Sequence, residues 1–163
     1  MSNIDAKFCT IKIKDGDTNS LEIKLGDGNI TWSEKKARQY IKDRGKLDTV
    51  RNADEDPMDV TVDALWEFLT GSGASGALPT VEDAFKRRGP AAAWTSSSSD
   101  LCEPYAVDIE ITYDPDCDVE RREIYTLADF RYETADHDLK AGTLRFTGKC
   151  NVVEAGVARA AQT

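Results

Sequence analysis

From Met58 onward the chain keeps a period of two: Met58, Val60, Val62, Ala64, Trp66 and Phe68 alternate with Asp59, Thr61, Asp63, Leu65 and Glu67. Successive side chains of a strand point to opposite faces, so this run buries one face only by lying in a sheet over a core. A helix would spread the same apolar residues around its circumference. The period returns at Cys9, Ile11 and Ile13, and at Tyr105, Val107, Ile109, Ile111 and Tyr113. It appears again over residues 123–133 and 142–153, where Leu144, Phe146, Cys150 and Val152 share a face. Turn-forming stretches ("DGDTNS", "DPDCD", "ADHDLKAG") separate these runs, and "LEIKL" and "NITW" flank Gly26-Asp27-Gly28 as the arms of a hairpin. Residues 33–50 fit either a helix capped by Ser33 or two short strands around Gly45, and the extended reading is preferred.

One segment reads clearly as a helix. Thr80 is a good N-cap with Asp83 at the reciprocal position, Glu82 and Asp83 complement the positive end, and Lys86, Arg87 and Arg88 complement the negative end. Gly89-Pro90 terminates it. A helix of about two turns is not stable alone, so Val81, Ala84 and Phe85 must pack onto something larger. The predicted fold is therefore mainly β: an antiparallel sandwich or barrel of two packed sheets with one short flanking α-helix. At 163 residues a single domain over 1–163 is expected, burying roughly 70% of the surface its unfolded chain exposes. It carries a long charged loop around 34–57 and an arm or frayed end at 154–163.

The strand from Met58 raises a question about charge. Its outward face shows Asp59, Asp63 and Glu67, and it follows directly on Asp54, Glu55 and Asp56. The whole chain has 30 acidic against 21 basic residues, a formal net charge of −9. That balance argues against tight binding to nucleic-acid phosphates or anionic membranes, but not against working beside a polyanion that must not stick.

The motifs that carry chemistry elsewhere are weak here. Residues 71–76 match G-x-G-x-x-G, but Leu78-Pro79 separates them from the helix and antiparallel strands follow, so a flexible turn is the better reading. Asp114, Asp116 and Asp118 bunch as in a calcium loop, yet Val119 and Tyr125 stand where the helix-loop-helix pattern needs Gly and Glu. His137 is the sole histidine, sits in a turn-like stretch, and has no recognisable nucleophile elbow near it. Paired carboxylates for glycoside hydrolysis would need a cleft that the sequence cannot reveal. Cys9, Cys102, Cys117 and Cys150 lie far apart without a C-x-x-C pair, which favours free thiols in a reducing compartment over a zinc site. No apolar signal core or run of about twenty apolar residues is present, so no membrane partner is expected.

Taken in order, "LEIKLGDGNITWSEK", "KDRGKLDTVRNADEDPMDVTVDALWEFLTG", "TVEDAFKRRGP", "EPYAVDIEI" and "AGTLRFTGKCNV" resemble a bacteriophage tail tube protein over nearly the whole chain. The resemblance implies a structural virion protein of a long-tailed phage rather than an enzyme. Such a subunit needs no cofactor, forms hexameric rings that stack into a tube, and is assembled in the host cytoplasm. Implied partners are further copies, a tape-measure protein, and tail tip and terminator proteins, with double-stranded DNA passing through unread. One sheet of each subunit would join its neighbours edge to edge around the channel. Asp59, Asp63, Glu67, Asp108 and Glu110 are then the candidates for its wall. Lys35, Lys36, Arg38, Lys42, Arg44, Lys46, Arg51, Asp54, Glu55 and Asp56 are the candidates for contacts between rings and subunits. The alternative is a β-sandwich binding module, holding calcium at Asp114, Asp116 and Asp118 or presenting Trp32, Trp66 and Trp94 to a sugar.

Overall fold

A computed structural model describes residues 4–23, 29–66, 79–115 and 122–160. The strands are β1 (Cys9–Lys14), β2 (Ser20–Glu22), β3 (Ile30–Ser33), β4 (Arg38–Asp43), β5 (Lys46–Asn52), β6 (Met58–Leu65), β7 (Val107–Tyr113), β8 (Arg122–Asp138), β9 (Thr143–Cys150) and β10 (Gly156–Ala160). The helix α1 (Val81–Lys86) lies between β6 and β7 in the chain. Eight strands form one antiparallel sheet in the order β2-β1-β7-β8-β9-β6-β3, with β10 also on β8, while β4 and β5 pair only with each other.

β8 makes this continuous sheet into a two-layered sandwich. Its first part pairs with β7 up to Phe130 and with β10 over residues 122–126, whereas from Phe130 onward it pairs with β9. The register slips between Tyr132 and Thr134, a bulge that bends the strand. Asp129 just before it takes a left-handed conformation, φ 54°. Gly148 lies opposite this bend, and a Cβ there would overlap the carbonyl oxygen of Arg131, so the two strands approach as closely as they do because position 148 has no side chain. One layer is thus β2-β1-β7 with the first part of β8 and β10. The other is the second part of β8 with β9, β6 and β3.

The alternating residues of both layers meet in a single core. Ile13, Ile109 and Leu127 from the first layer and Met58, Val60, Val62 and Phe146 from the second are fully buried. The helix closes the sandwich through Phe85, whose ring lies 5.2 Å from Phe130 and 4.7 Å from Phe146. Its predicted capping box is present in full: Asp83 N–H donates to Thr80 Oγ1, and Thr80 N–H donates to the Asp83 carboxylate. The left-handed cap is Arg87 (φ 53°), and Gly89-Pro90 opens a short 3-10 turn after it.

Four expectations change. Among the described residues "LEIKL" and "NITW" do not pair with each other as arms of one hairpin: β2 pairs with β1 and β3 with β6, at opposite ends of the sheet order. Their apolar residues are claimed by distant partners, Leu21 by Ile13 and Ile30 by Val62, which outweighs the local turn signal. Within the charged stretch 34–57, residues 38–52 form a β-hairpin turning at Arg44-Gly45, both at positive φ, rather than a loop, as the extended reading of residues 33–50 anticipated. "ADHDLKAG" is a turn only in its second half, because β8 continues to Asp138. Part of the 154–163 end is the strand β10, paired residue by residue with β8 from Gly156↔Thr126 to Ala160↔Arg122.

Candidate functional site

The outward face of β3-β6-β9-β8 is a ladder of matched rows. Ser33, Asp59, Lys149 and Arg131 form one row across the four strands, and Thr31, Thr61, Thr147 and Thr134 form the next. In the third, Asp63, Arg145 and Asp136 stand side by side. Asp59 accepts from Lys35 Nζ at 2.6 Å and has Lys149 Nζ at 3.4 Å, and Asp63 accepts from Arg145 Nε at 2.7 Å. The Lys35 ammonium is the chief reason the Asp59 carboxyl sits below the ordinary carboxylate range. The acidic strand is therefore not a one-signed surface: its neighbour β9 sets a cation against each of these two carboxylates, separated by a band of hydroxyls.

Asp108 and Glu110 lie on the other layer, on the outward face of β7, so the five proposed wall residues do not share one surface. Glu110 pairs with Lys14 on β1 at 2.6 Å. Asp108 is half-buried and accepts from the backbone N–H of Asp129, whose carboxylate accepts from Ser97 Oγ at 2.7 Å. Burial first, then the adjacent Asp129 charge, push the Asp108 pKa up. Glu67 lies outside the described residues.

The other candidate residues surround the hairpin. Lys35, Lys36, Asp54 and Glu55 line an open cleft of about 180 Å³ at its base, together with Asn52 and Glu154. Arg38, Lys42, Arg44, Lys46 and Arg51 are on the exposed arms, with Arg38 donating to Asn52 across them. Asp56 is exposed on the way into β6. Charge-based reading of this stretch missed its apolar side. Tyr40 pairs with Val50 and, beyond a bulge, Lys42 pairs with Leu47, so Tyr40, Val50 and Leu47 share one face. They are 58%, 56% and 70% exposed. A period-two reading of "RQYIKD" against "KLDTVRN" hides this, because the bulge at Asp48 moves Leu47 onto the face of Val50.

The remaining chemical candidates take structural places. His137 Nε2 lies 3.0 Å from Glu82 Oε1, and its ring meets Trp66 at 5.0 Å, so it ties α1 to the end of β8. Glu82 also receives Lys86 at 2.6 Å and Arg88 at 3.0 Å. Its burial alone would raise the carboxyl pKa, but the hydrogen bonds from Lys86 and His137 lower it. Cys9, Cys102 and Cys150 are free thiols, and burial pushes Cys150 up to about 12. Trp94 is buried, and Trp32 lies against Tyr125 with ring centroids 6.1 Å apart. Asp116 and Asp118 of the calcium alternative and the glycine-rich residues 71–76 fall outside the described residues. Among the described residues no group of three or more His, Cys, Asp or Glu side chains is disposed to hold a metal ion. None of the described helices is long and apolar enough to cross a membrane.

No protein-family model matches the sequence, and no curated protein matches it. In fold the chain is similar to a chain from the extended-state sheath/tube terminator of an extracellular contractile injection system, PVC, at 10% identity and a TM-score of 0.59. The match covers 97% of this chain and 98% of that one, so the likeness runs over the length of both chains and not over a fragment.

Proposed function

We propose that this chain is a structural tail protein, the major tube subunit of a phage tail or a related injection device, and that it has no catalytic role. The observation that carries this reading is the end-to-end match of its fold to a chain of a contractile injection system's sheath/tube terminator, where an unrelated binding module would share the sandwich alone. Two further features support it. Among the described residues no strand pairs with β3 on the side away from β6, or with β8 beyond Phe130 on the side away from β9, so the layer β3-β6-β9-β8 offers two edges. Such edges are a hazard in a lone domain and a joint when a neighbouring copy supplies the missing strand. The β4-β5 hairpin, exposed on both arms and forming its own two-stranded sheet, is shaped to reach a second copy.

In this reading six copies form a ring, rings stack, and the Asp59 and Asp63 face lines a channel through which duplex DNA passes without sequence recognition. Lys149 and Arg145 are engaged by carboxylates and so are withheld from phosphates, while the threonine row adds polar, uncharged surface. Assembly partners are other tail components, and the place of action is the virion tail. Electron microscopy of the purified protein, concentrated stepwise at moderate salt, tests the reading. Hollow tubes or six-fold rings with Asp59 and Asp63 on the inner surface are expected. Tubes with these residues on the outside would reject the channel wall, and dispersed particles with a calcium-dependent rise in melting temperature would reject the tube.

A further inference from the structure

A second exposed apolar feature lies on the segment between α1 and β7. Leu101 is 98% exposed, on a loop held by several hydrogen bonds. Cys102 N–H donates to Asp100 Oδ1, Ser98 Oγ donates to Glu103 Oε2 at 2.5 Å, and Arg131 donates both to the same carboxylate at 3.0 Å and to the Pro104 carbonyl at 2.9 Å. A loop held by this many bonds could have turned a leucine inward. Instead it holds Leu101 out as a fixed knob beside the carboxylate of Asp100. Exposed leucines are common singly, but a pre-ordered one contributes to binding without the entropic cost of immobilising its loop.

We propose that this knob is the docking site for the Tyr40, Val50 and Leu47 face of the hairpin of another copy of the chain. The two surfaces complement each other in both chemistry and charge. The hairpin face is apolar and flanked by Arg38 and Lys42, and its arms and turn carry five basic residues against Asp43 and Asp48, in a chain that is otherwise acidic. The knob is apolar and has the Asp100 carboxylate beside it, which no lysine or arginine pairs among the described residues, while Glu103 is taken up by Arg131. Leu139, also highly exposed, sits between Asp138 and Lys140 and offers no net charge to a basic arm. Opposite charge around an apolar contact fixes register as well as partner. Because the surfaces differ, the contact is head-to-tail and leaves one of each free at the ends, so it can extend from copy to copy as a stacked assembly requires. The inference rests on the tube reading and names the surface that the hairpin meets.

The native Cys102 thiol, exposed next to Leu101, is a ready reporter. A disulfide forms only where Cα atoms come within about 7 Å, so an exposed Leu47→Cys substitution tests the contact directly under mild oxidation. The expected result is a ladder of crosslinked multimers in L47C that is lost in L47C/C102S. Tubes without crosslinks would overturn this docking while leaving the tube standing. A crosslinked dimer that persists in L47C/C102S would show hairpin meeting hairpin and overturn it as well. A ladder without hollow tubes would keep the contact and overturn the tube, and neither tubes nor crosslinks at any concentration would overturn both.

Discussion

The carboxylate of Asp15 is the best-defined polar group in the structure to perturb. It lies just beyond β1, only 5% exposed, and accepts four hydrogen bonds. Oδ1 takes the N–H groups of Asp17 and Asn19, each at 3.0 Å, and Oδ2 takes Asn19 Nδ2 at 2.8 Å and Thr95 N–H at 3.0 Å. Gly16 N–H adds a bond to the Thr95 carbonyl at 2.9 Å, and a Cβ on Gly16 would overlap the carbonyl oxygen of Ser96. One carboxylate thus closes the β1-β2 turn and ties it to the segment leading into β7. Bonds to a charged acceptor contribute about 1.5–3 kcal/mol each when taken singly, but the donors at Asp17 and Asn19 regain water when it is removed. Asp15→Ala is therefore expected to cost about 2–4 kcal/mol rather than the sum. For a chain of this length, at about 2–4 °C per kcal/mol, that is a fall in Tm of roughly 4–16 °C.

The pH dependence gives the same argument a second, independent readout. Burial alone would raise the Asp15 pKa, but the hydrogen bonds from Asn19, Thr95 and Asp17 outweigh it and hold it below the ordinary value. A depressed folded-state pKa stabilises fully above the unfolded value of about 3.9, and the contribution is lost as pH falls through the lower folded value. The gap in stability between the natural chain and Asp15→Ala should therefore stay constant from pH 7 to 5 and close below about 4. Thermal melts followed by circular dichroism at several pH values measure it. A Tm within about 2 °C of the natural chain at pH 7 would refute the hub, and a gap that does not narrow in acid would refute the assignment of the charge.

Gly148→Ala should destabilise by about 1–3 kcal/mol or more, because the new methyl group meets the backbone of Arg131 and Tyr132 and not a movable side chain; urea unfolding reads this as a lower midpoint. Phe85→Ala should cost about 3–5 kcal/mol in the same assay, since the ring is buried against both Phe130 and Phe146. Asp108 has a raised pKa, so its contribution is lost as pH rises from the unfolded value of about 3.9 through the higher folded one; Asp108→Asn should gain in melting temperature relative to the natural chain as pH rises past about 4. Asp59→Asn with Asp63→Asn frees Lys149 and Arg145, and assembled particles should then retain duplex DNA in low-salt filter binding and release it as salt rises, with unchanged retention counting against the channel face.

What could be read from the sequence follows the range of the physics involved. Period two marked β1, β6, β7 and β9, and the Thr80–Asp83 capping box marked α1, because both signals lie within a few residues of one another. Pairing was a different matter. Gly26-Asp27-Gly28 looked like a hairpin turn, but the contacts of Leu21 with Ile13 and of Ile30 with Val62 are made to strands that come earlier and much later in the chain. The acidic stripe was legible and its neutralisation was not. Arg145 and Lys149 could be placed on the outward face of their own strand, yet their position beside Asp63 and Asp59 depends on β9 pairing with β6 across some eighty residues. The bulge at Asp48 likewise joins Leu47 to Val50 on a face that strict alternation would divide.

Paired charge suits the proposed channel better than a wholly acidic wall would. A one-signed stripe repeated in six copies repels itself within a Debye length of about 8 Å, and that repulsion opposes closing the ring. A wall with free lysines and arginines would close easily and then hold DNA at every step by releasing counterions from its phosphates. Setting Asp59 against Lys149 and Lys35, and Asp63 against Arg145, removes most of both difficulties, since a close ion pair presents a short-range dipole in place of a net charge. Exposed pairs of this kind add little to stability, so holding the sandwich together is a poor explanation for placing them in matched rows. Their more telling property is that they leave little net charge on a broad, polar sheet face, which is what a surface needs if subunits must join across it and a polyanion must slide past it.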